Sequence, residues 1–403
     1  MAEKELSKFF REYLEKDPIF INKKALQDTY TPEVIGHRDE QIKILAGILA
    51  PMVRLEKPSN IFIYGRTGSG KTLTVKYITN NILNIAKEKN LAIKVIYLNC
   101  KLKRVADTEY RLIAQIANDF NGNVPPTGLP TDEVYKIFIK SIDKEENKLI
   151  VLILDEIDQL VKKTGDGMLY NITRLNTELK NTQLSIIGIS NDLLFMDGID
   201  PRVKSSLSEE EVLFHPYNAL QIQDILRQRS EISFRKGVIE SGVIEKCAGF
   251  AAREHGDARR ALELLRVAGE LAERRNKVKI DLDDIDEAED KMERDKIIDV
   301  IHTQPKQFQL VLLAILNLIE QTKKPLVTGD IYSMYKDLCI KAGLKPITQR
   351  RVSDIIAEFD MLGIINARVI SKGRYGRTRQ ISLAIQSSII QIIRDKLKEG
   401  LSL

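Results

Sequence analysis

One octapeptide, residues 65–72, has the residue types and spacing of a phosphate-binding loop. It follows an apolar run, residues 61–64, and precedes a segment that is predicted to be helical. Its glycines allow sharp backbone turns and let backbone N–H groups approach phosphate oxygens. Lys71 would neutralise the β- and γ-phosphates of a nucleotide, and the Thr72 hydroxyl would bind Mg²⁺. The sequence therefore predicts a site for a nucleoside triphosphate.

A second apolar run ends in two acidic residues that would complete a nucleotide-hydrolysing site. Residues 149–154 are continuously apolar, as is typical of a central parallel strand covered on both faces. At the end of that strand Asp155 would lie near Mg²⁺, and Glu156 would act as general base on the attacking water. An acidic helix cap is the alternative, and the loop upstream favours the hydrolytic interpretation.

Three further polar residues could act on a bound nucleotide. Asn191 follows the next predicted strand, where it would orient water against the γ-phosphate or simply form a turn. Arg202 lies in an Asp-Pro-Arg sequence, and Arg259 lies in a Gly-x-x-Arg sequence that begins a helix. Either arginine could equally be a solvated or salt-bridged surface residue, so spacing alone leaves their roles open.

Composition indicates a globular intracellular protein of two or three domains. The chain has 403 residues, of which 43% are hydrophobic and 30% are charged. Its cysteines, Cys100, Cys247 and Cys339, form no C-x-x-C pair, which favours buried apolar residues over zinc ligands or disulfides. We expect no secretory signal and no membrane span, because charges interrupt the N-terminal residues and every apolar run is short.

Charge is distributed unevenly along the chain. Residues 305–403 contain 16 Lys and Arg but only 8 Asp and Glu, whereas the whole chain has a net charge of +5. The residues before them are therefore slightly acidic in sum, and the C-terminal module is basic. This pattern favours nucleic-acid binding by the C-terminal module rather than by the whole chain.

Strands and helices alternate through the first half of the chain, which favours a parallel α/β sheet. Residues 218–293 then have a helical pattern throughout. The predicted strands are residues 61–64, 94–100, 148–154, 184–191 and 212–214. The predicted helices before and between them are residues 39–53, 107–120, 131–140 and 168–179.

The basic C-terminal module has the pattern of a winged helix. A helix starting at Thr328 precedes a second helix at residues 348–359, whose apolar residues recur at helical spacing. A strand is predicted to begin within residues 361–365, and residues 368–379 are predicted to form a basic hairpin. These elements predict DNA contacts, although a solubilising loop or a protein-binding winged helix would carry the same charge. The candidate DNA-binding residues are Thr348, Gln349, Arg350, Arg351 and Ser353 on the helix, and Arg368, Lys372, Gly373, Arg374, Tyr375, Arg377 and Arg379 on the hairpin.

The order of these motifs resembles that of an AAA+ ATPase. Residues 34–40 look like the box that lies against adenine in that class. The insertion around residues 107–138 resembles the extra helical motif of replication initiators. With its C-terminal winged helix, the whole chain closely resembles the archaeal origin-recognition and cell-division-cycle-six family of replication initiators.

The resemblance implies an α/β fold: an AAA+ P-loop parallel-sheet domain, an α-helical lid and a C-terminal winged-helix domain. These domains would span residues 1–216, 217–295 and 296–403. Arg202 would be an arginine finger that acts on a neighbouring subunit, with Lys204 as a nearby alternative. The implied catalytic residues are Lys71, Asp155, Glu156, Asn191 as sensor 1, Arg202, and Arg259 as sensor 2.

The same resemblance implies ATP or ADP and Mg²⁺ as ligands. Thr72 and Asp155 would hold the metal ion. The implied nucleotide-binding residues are Val34, Ile35, Gly36, His37, Arg38, Gly65, Arg66, Thr67, Gly68, Ser69, Gly70, Lys71, Thr72, Leu73, Tyr217 and Arg259.

As a function, the resemblance implies an initiator that binds double-stranded origin DNA and helps recruit or load the replicative minichromosome-maintenance helicase. Slow ATP hydrolysis would act as a switch, and other initiator subunits would be partners on DNA in the cytoplasmic nucleoid. A clamp-loader ATPase is one alternative, against which the basic winged helix argues. A nucleotide-responsive transcriptional regulator is another, because it would combine the same ATPase and DNA-binding parts.

Overall fold

The structure is a computed structural model that forms two compact units, Met1–Ile285 and Asp286–Leu403. Among the residues that it describes, no helix is both long and apolar enough to cross a membrane. The described residues are 10–11, 17–27, 30–101, 108–125, 127–144, 148–207, 209–321, 326–371, 377–385, 387–401 and 403.

A five-stranded parallel sheet lies in the first unit. Its strands are β1 (Ile61–Gly65), β2 (Ile93–Asn99), β3 (Leu149–Asp155), β4 (Gln183–Ser190) and β5 (Glu210–Phe214). Their order in the sheet is β2-β3-β4-β1-β5. Strand β3 is buried at every position, which explains why its sequence is continuously apolar rather than alternating. The predicted strands and the parallel sheet are confirmed, with ends that differ by one or two residues.

Helices accompany the sheet and then form a helical segment after it. The helix predicted at residues 168–179 ends earlier, at Arg174, and continues as a 3-10 turn, while the helix at residues 157–164 is an addition to the prediction. The helices that accompany the sheet are α1 (Asp39–Leu49), α2 (Lys71–Glu88), α3 (Glu109–Asp119), α4 (Thr131–Ile142), α5 (Ile157–Thr164), α6 (Gly167–Arg174) and α7 (Pro201–Leu207). The helices after the sheet are α8 (Ala219–Ser233), α9 (Val243–Arg253) and α10 (Ala258–Arg274). Short 3-10 helices span Lys23–Leu26, Ala50–Arg54, Leu175–Thr177 and Phe195–Gly198.

Apolar packing covers both faces of the sheet. Alternate residues of β3 enter different clusters, with Leu152 in one and Val151 in the other. The first cluster includes residues of α3 and α4, and the second includes residues of α1 and α2. Because both faces are packed, polar chemistry is left to the ends of the strands, where Gly65, Asp155 and Ser190 lie.

The N-terminal segment, of which the structure describes residues 17–27 and 30–38, packs against the helices that follow the sheet. The ring of Phe20 lies 4.8 Å from the ring of Phe234, and the Ile21 N–H donates to the Ser233 carbonyl at 2.8 Å. Gly269 on α10 leaves room for Phe20, since a Cβ there would lie 2.6 Å from the Phe20 ring. This glycine therefore allows the segment to dock closely.

The second unit is a winged helix. Its elements are α12 (Lys306–Gln321), β6 (Leu326–Val327), α13 (Thr328–Lys341), α14 (Gln349–Met361), β7 (Ile365–Ser371), β8 (Arg377–Leu383) and α15 (Ser387–Leu401). The three strands form an antiparallel sheet of order β6-β8-β7. The predicted core face of α14 is buried as expected, and it consists of Val352, Ile355, Ile356 and Phe359. The strand predicted to begin within residues 361–365 begins at Ile365, because Met361 still belongs to the helix and is 80% exposed.

One long helix, α11 (Leu282–Thr303), runs across the predicted end of the lid at residue 295. The predicted boundary at residue 216 lies inside the first unit. The three-domain division thus stays a prediction. All three cysteines, Cys100, Cys247 and Cys339, are buried, as expected for apolar packing residues.

Two helical glycines provide a stability test of the docked N-terminal segment. We expect Gly269→Ala to lower the unfolding temperature, because overpacking against Phe20 costs about 1–3 kcal/mol. The matched control is Gly249→Ala on α9, where nothing lies within 4 Å of the added Cβ. That control should gain up to about 1 kcal/mol from helix propensity. Calorimetry of the full chain measures both, and equal stabilisation of the two variants would contradict the docking.

Candidate functional site

The phosphate-binding loop joins β1 to α2 with backbone angles that favour glycine. Gly68 and Gly70 have φ values of +73° and +86°, which side chains other than glycine rarely tolerate. Gly70 is the N-cap of α2, so the first N–H groups of that helix face the loop. The predicted strand–loop–helix arrangement of an anion site is therefore present.

The Lys71 side chain hydrogen-bonds both to the backbone of this loop and to Asn191, the residue that follows β4. Its side chain is only 4% exposed, and Nζ donates to the carbonyls of Gly65 and Arg66 at 2.8 and 2.9 Å. A third bond, at 2.9 Å, goes to Oδ1 of Asn191. Burial lowers the pKa of Lys71 to about 8, against the attraction of Asp155. A bound phosphate would offer this ammonium group stronger partners than the two carbonyls do.

Thr72 and Asp155 form an oxygen pair beside the loop. The Thr72 hydroxyl donates to Oδ2 of Asp155 at 2.8 Å. Mg²⁺ prefers hydroxyl, carboxylate and phosphate oxygens, and it keeps several waters when one or two side chains bind it. The donor set therefore fits Mg²⁺, and the assignment of Thr72 and Asp155 as its ligands stays a prediction.

Glu156 has an unusual backbone conformation next to this pair. Its φ is +56°, in the left-handed region that non-glycine residues seldom occupy. Its side chain is mostly buried and lies 4.0 Å from Nζ of Lys101. Strained backbone of this kind concentrates at functional sites, where it directs a side chain.

A cavity of about 440 Å³ extends from the loop toward the N-terminal segment and the helices after the sheet. Its volume lies in the range of small-ligand sites. Of the residues expected to bind nucleotide, those that line it are Val34, Ile35, Gly36, Gly68, Gly70, Thr72, Leu73, Tyr217 and Arg259. The remaining expected residues, outside this lining, are His37, Arg38, Gly65, Arg66, Thr67, Ser69 and Lys71.

Sequence reasoning missed part of the cavity lining. Helix α8 contributes Ile225, Gln228, Arg229 and Ile232, which recur at the i, i+3, i+4, i+7 spacing of one helix face. That periodicity was a usable signal, but it does not by itself distinguish a cavity wall from a packed core. The N-terminal segment contributes Gln27, Tyr30, Thr31, Pro32 and Glu33.

Arg38 is tied to the loop backbone. Its guanidinium is buried and donates to the Ser69 carbonyl at 2.9 Å and to the His215 carbonyl at 2.6 Å. It also lies 3.8 Å from the ring centroid of Tyr217. Burial lowers the pKa of Arg38. The neighbouring His37 places Nε2 3.2 Å from a carboxylate oxygen of Asp224 on α8.

The start of α10 lies directly on the loop. Asp257 caps this helix by accepting the N–H groups of Arg259 and Arg260 at 2.8 and 3.3 Å. A Cβ at Gly68 would overlap the Asp257 carboxylate, and a Cβ at Gly256 would overlap the Tyr217 carbonyl. These glycines permit close approach, which places Arg259 at the cavity wall.

Arg202 lies apart from this cavity. Its side chain is 69% exposed and pairs with Asp200, with NH2 2.9 Å from Oδ2. Its guanidinium is also 5.2 Å from the Tyr170 ring. The alternative, Lys204, lies 4.0 Å from Asp197. A role for either residue on a neighbouring subunit stays a prediction.

The candidate DNA-binding residues at the start of α14 differ in their contacts with the rest of the protein. Thr348 caps the helix by accepting the Arg351 N–H at 3.4 Å. Gln349 and Arg350 are exposed, whereas the exposed Arg351 lies 3.8 Å from Asp354 and 3.6 Å from Glu358.

The hairpin contributes a second group of candidates. Arg379 donates to the Ser353 carbonyl at 2.7 Å, which fastens strand β8 to α14. Arg368 is exposed on β7, and Arg377 is the first residue of β8, paired with Ser371. The candidates that lie outside the described residues are Lys372, Gly373, Arg374 and Tyr375.

Three family models match successive parts of the chain, which contain the nucleotide site, the helices after the sheet and the winged helix. They are an AAA domain at residues 54–195, a Cdc6 AAA+ ATPase-type lid domain at residues 223–290 and a CDC6 C-terminal winged helix domain at residues 299–391. The parallel sheet, the P-loop and the Asp155–Glu156 pair agree with the first of them. The protein is an AAA+ ATPase with a Cdc6-type lid and a C-terminal winged helix.

Similar curated proteins define the family more narrowly. The chain is 51% identical over 389 residues to an ORC1-type DNA replication protein of Thermococcus onnurineus, covering 96% of this chain and 93% of that one. It is 52% identical over 386 residues to the ORC1-type DNA replication protein of Pyrococcus furiosus, covering 95% and 91%. The chain therefore belongs to the ORC1-type DNA replication proteins.

Solved structures agree with this assignment. The Aeropyrum pernix ORC1 protein, in complex with DNA, is 42% identical and has a TM-score of 0.82, covering 95% of this chain and 98% of that chain. Cdc6p from Pyrobaculum aerophilum is 20% identical with a TM-score of 0.60, covering 95% of this chain and all of its own. The second likeness concerns the fold alone.

The contact between the loop and α10 is testable with two glycines of similar backbone angle. We expect Gly68→Ala to weaken nucleotide binding at least tenfold, because the added methyl group overlaps Asp257 and displaces the lid. Gly165→Ala is the matched control, since its φ is +77° and nothing lies within 4 Å of the added Cβ. Titration with a fluorescent ADP measures both affinities. Equal affinities of the two variants for ADP would show that the close approach of Gly68 to Asp257 does not affect nucleotide binding.

Proposed function

We propose that this protein is an ATP-regulated replication initiator that binds double-stranded origin DNA sequence-specifically and helps recruit or load the minichromosome-maintenance helicase. Slow ATP hydrolysis acts as its switch, and other initiator subunits assemble with it on DNA in the nucleoid. The observation that carries the proposal is the presence, in one chain, of a P-loop motif between a strand and a helix and of a basic winged-helix module whose helix α14 exposes Gln349 and Arg350.

The P-loop residues support ATP and ADP as ligands, with Mg²⁺. Lys71 and the N-terminus of α2 bind phosphate, while Thr72 and Asp155 hold the metal ion. A metal ion held by these two residues would supply positive charge that offsets the negative charge of the phosphates during hydrolysis. Glu156 accepts the proton of the attacking water, and Asn191, bonded to Lys71, orients that water.

The position of the two arginines supports hydrolysis that depends on assembly. Arg259 reaches the phosphates from the wall of the cavity. Arg202 is exposed at the start of α7 and lies outside the cavity lining, which supports an action on the nucleotide of a neighbouring copy. A lone molecule therefore hydrolyses ATP slowly, since it lacks the arginine that a neighbour supplies.

The winged helix supports DNA binding in two modes. Gln349 and Arg350 lie exposed at the N-terminal end of α14, where a recognition helix reads base edges. Arg368 and the basic hairpin residues contact phosphates. The relative from Aeropyrum pernix, whose structure contains DNA, extends over nearly the whole of this chain, which favours DNA as the ligand here.

Depletion of the protein in its source organism distinguishes a replication initiator from a transcriptional regulator. Loss of an initiator stops new rounds of replication before promoter output changes. Loss of a transcriptional regulator changes promoter output while replication continues. A clamp loader would instead bind primer–template junctions in preference to duplex DNA.

Two substitutions separate nucleotide binding from hydrolysis. We expect Lys71→Ala to abolish detectable ATP binding, whereas Lys87→Ala at the other end of α2 leaves it unchanged. Glu156→Gln should keep ATP binding and lose about 100-fold or more in hydrolysis, the range for a general base. Filter binding and phosphate release measure the two steps. ATP binding by Lys71→Ala at wild-type affinity would remove the basis of the P-loop assignment.

Recognition of bases is testable with two adjacent arginines. We expect Arg350→Ala to cost about 1–3 kcal/mol on the preferred site and to relax preference at one base position. Arg351→Ala is the comparison: we expect a smaller loss of base preference, because Asp354 and Glu358 already engage that side chain. A panel of single-base variants of the site, measured at one salt concentration, gives both profiles. A uniform loss on every sequence would make Arg350 a phosphate contact instead.

Salt dependence of the wild-type protein completes this test. If about five phosphates are neutralised, the logarithm of affinity should fall with the logarithm of salt at a slope of about −4 to −5. A flat response would rule out the phosphate contacts of the hairpin.

A further inference from the structure

The Asp155 carboxylate has a hydrogen-bond donor that belongs to none of the nucleotide motifs. The Tyr97 hydroxyl donates to Oδ2 of Asp155 at 2.6 Å, the same oxygen that accepts the Thr72 hydroxyl at 2.8 Å. The other oxygen, Oδ1, accepts the Glu156 N–H at 3.0 Å. Both oxygens of the carboxylate are thus held in place.

The strand register explains how Tyr97 reaches this carboxylate. Asn99 on β2 pairs with Asp155 on β3, and Tyr97 lies two residues before Asn99. Side chains two residues apart on a strand share a face, and a diagonal neighbour lies within reach of an aromatic side chain. The hydroxyl of Tyr97 therefore meets Asp155 along the diagonal.

Helix α2 fixes the ring itself. Nζ of Lys76 lies 3.9 Å from the ring centroid of Tyr97, and Lys76 also lines the nucleotide cavity. The half-buried ring thus packs against this helix, and its hydroxyl is directed at the carboxylate.

We infer that Tyr97 is a positioning residue that orients Asp155 toward Mg²⁺ and thereby sets the Mg²⁺ requirement of nucleotide binding. This inference rests on the proposed binding of Mg²⁺ with ATP at this site. A carboxylate that is already oriented loses little conformational freedom when the metal ion binds. Without the hydroxyl, Thr72 is the one donor to Oδ2 among the residues that the structure describes. The metal ion would then have to order the carboxylate itself.

Tyr97→Phe removes the hydroxyl and keeps the ring against Lys76. We expect about tenfold more Mg²⁺ to be needed for half-maximal strengthening of ATP binding, in line with the effect of residues that orient metal ligands. ATP binding in EDTA should match that of the wild type, because Lys71 and the loop are unchanged. Direct binding of Mn²⁺ in the presence of ATP, followed by paramagnetic resonance, should weaken by the same factor.

Tyr135→Phe is the matched control for loss of a tyrosine–carboxylate bond. The Tyr135 hydroxyl donates to Oε1 of Glu109 at 2.7 Å, and that pair joins α4 to α3 away from the nucleotide cavity. Both variants lose a comparable bond, so thermal unfolding should report similar small losses for both. Only Tyr97→Phe should shift the Mg²⁺ titration.

The outcomes distinguish this inference from the function on which it rests. A Tyr97→Phe variant whose Mg²⁺ midpoint and Mn²⁺ affinity equal those of the wild type would overturn the positioning role alone. An equal shift in Tyr135→Phe would overturn it as well, because the effect would then be one of general stability. A wild type that binds ATP equally in Mg²⁺ and EDTA would overturn both the proposed metal site and the inference.

Discussion

The nucleotide site depends on the hydrogen bonds and the aromatic contact that the buried guanidinium of Arg38 makes. This guanidinium donates to carbonyls on both sides of the site, at Ser69 in the phosphate-binding loop and at His215 after β5, and it stacks on Tyr217. A buried charge is costly unless hydrogen bonds and an aromatic face compensate it. Because Arg38 has both, one side chain fixes the loop relative to the strand end and to the residue that leads into α8.

The contacts of Arg38 hold residues of the sheet and of the lid around the same cavity. Gly256 lies against the Tyr217 backbone, and its neighbour Asp257 lies against Gly68 of the loop. Lys71 connects the loop to Asn191, which follows β4. A nucleotide in the cavity would therefore touch the loop, the N-terminal segment and two lid helices at once. This arrangement gives the proposed switch a physical basis, since loss of one phosphate changes contacts with several elements together.

Much of this architecture could be predicted from sequence because its signals are local. The apolar run of β3 predicts a buried parallel strand. The glycine spacing of the loop predicts a turn that binds phosphate. The role of Arg38 could not, because it depends on a partner 177 positions away along the chain. Tyr97 was missed for a related reason: a tyrosine in a strand looks like a packing residue until the register places it beside Asp155.

The measurement that tests the account most directly is recovery of genomic fragments bound by the purified protein, with ATP and with ADP, at moderate salt. The account predicts enrichment of a few related sequences at regions where replication starts, with different yields for the two nucleotides. Enrichment at many promoters would contradict it and indicate a transcriptional regulator. Recovery of no preferred sequence would contradict the proposed base recognition.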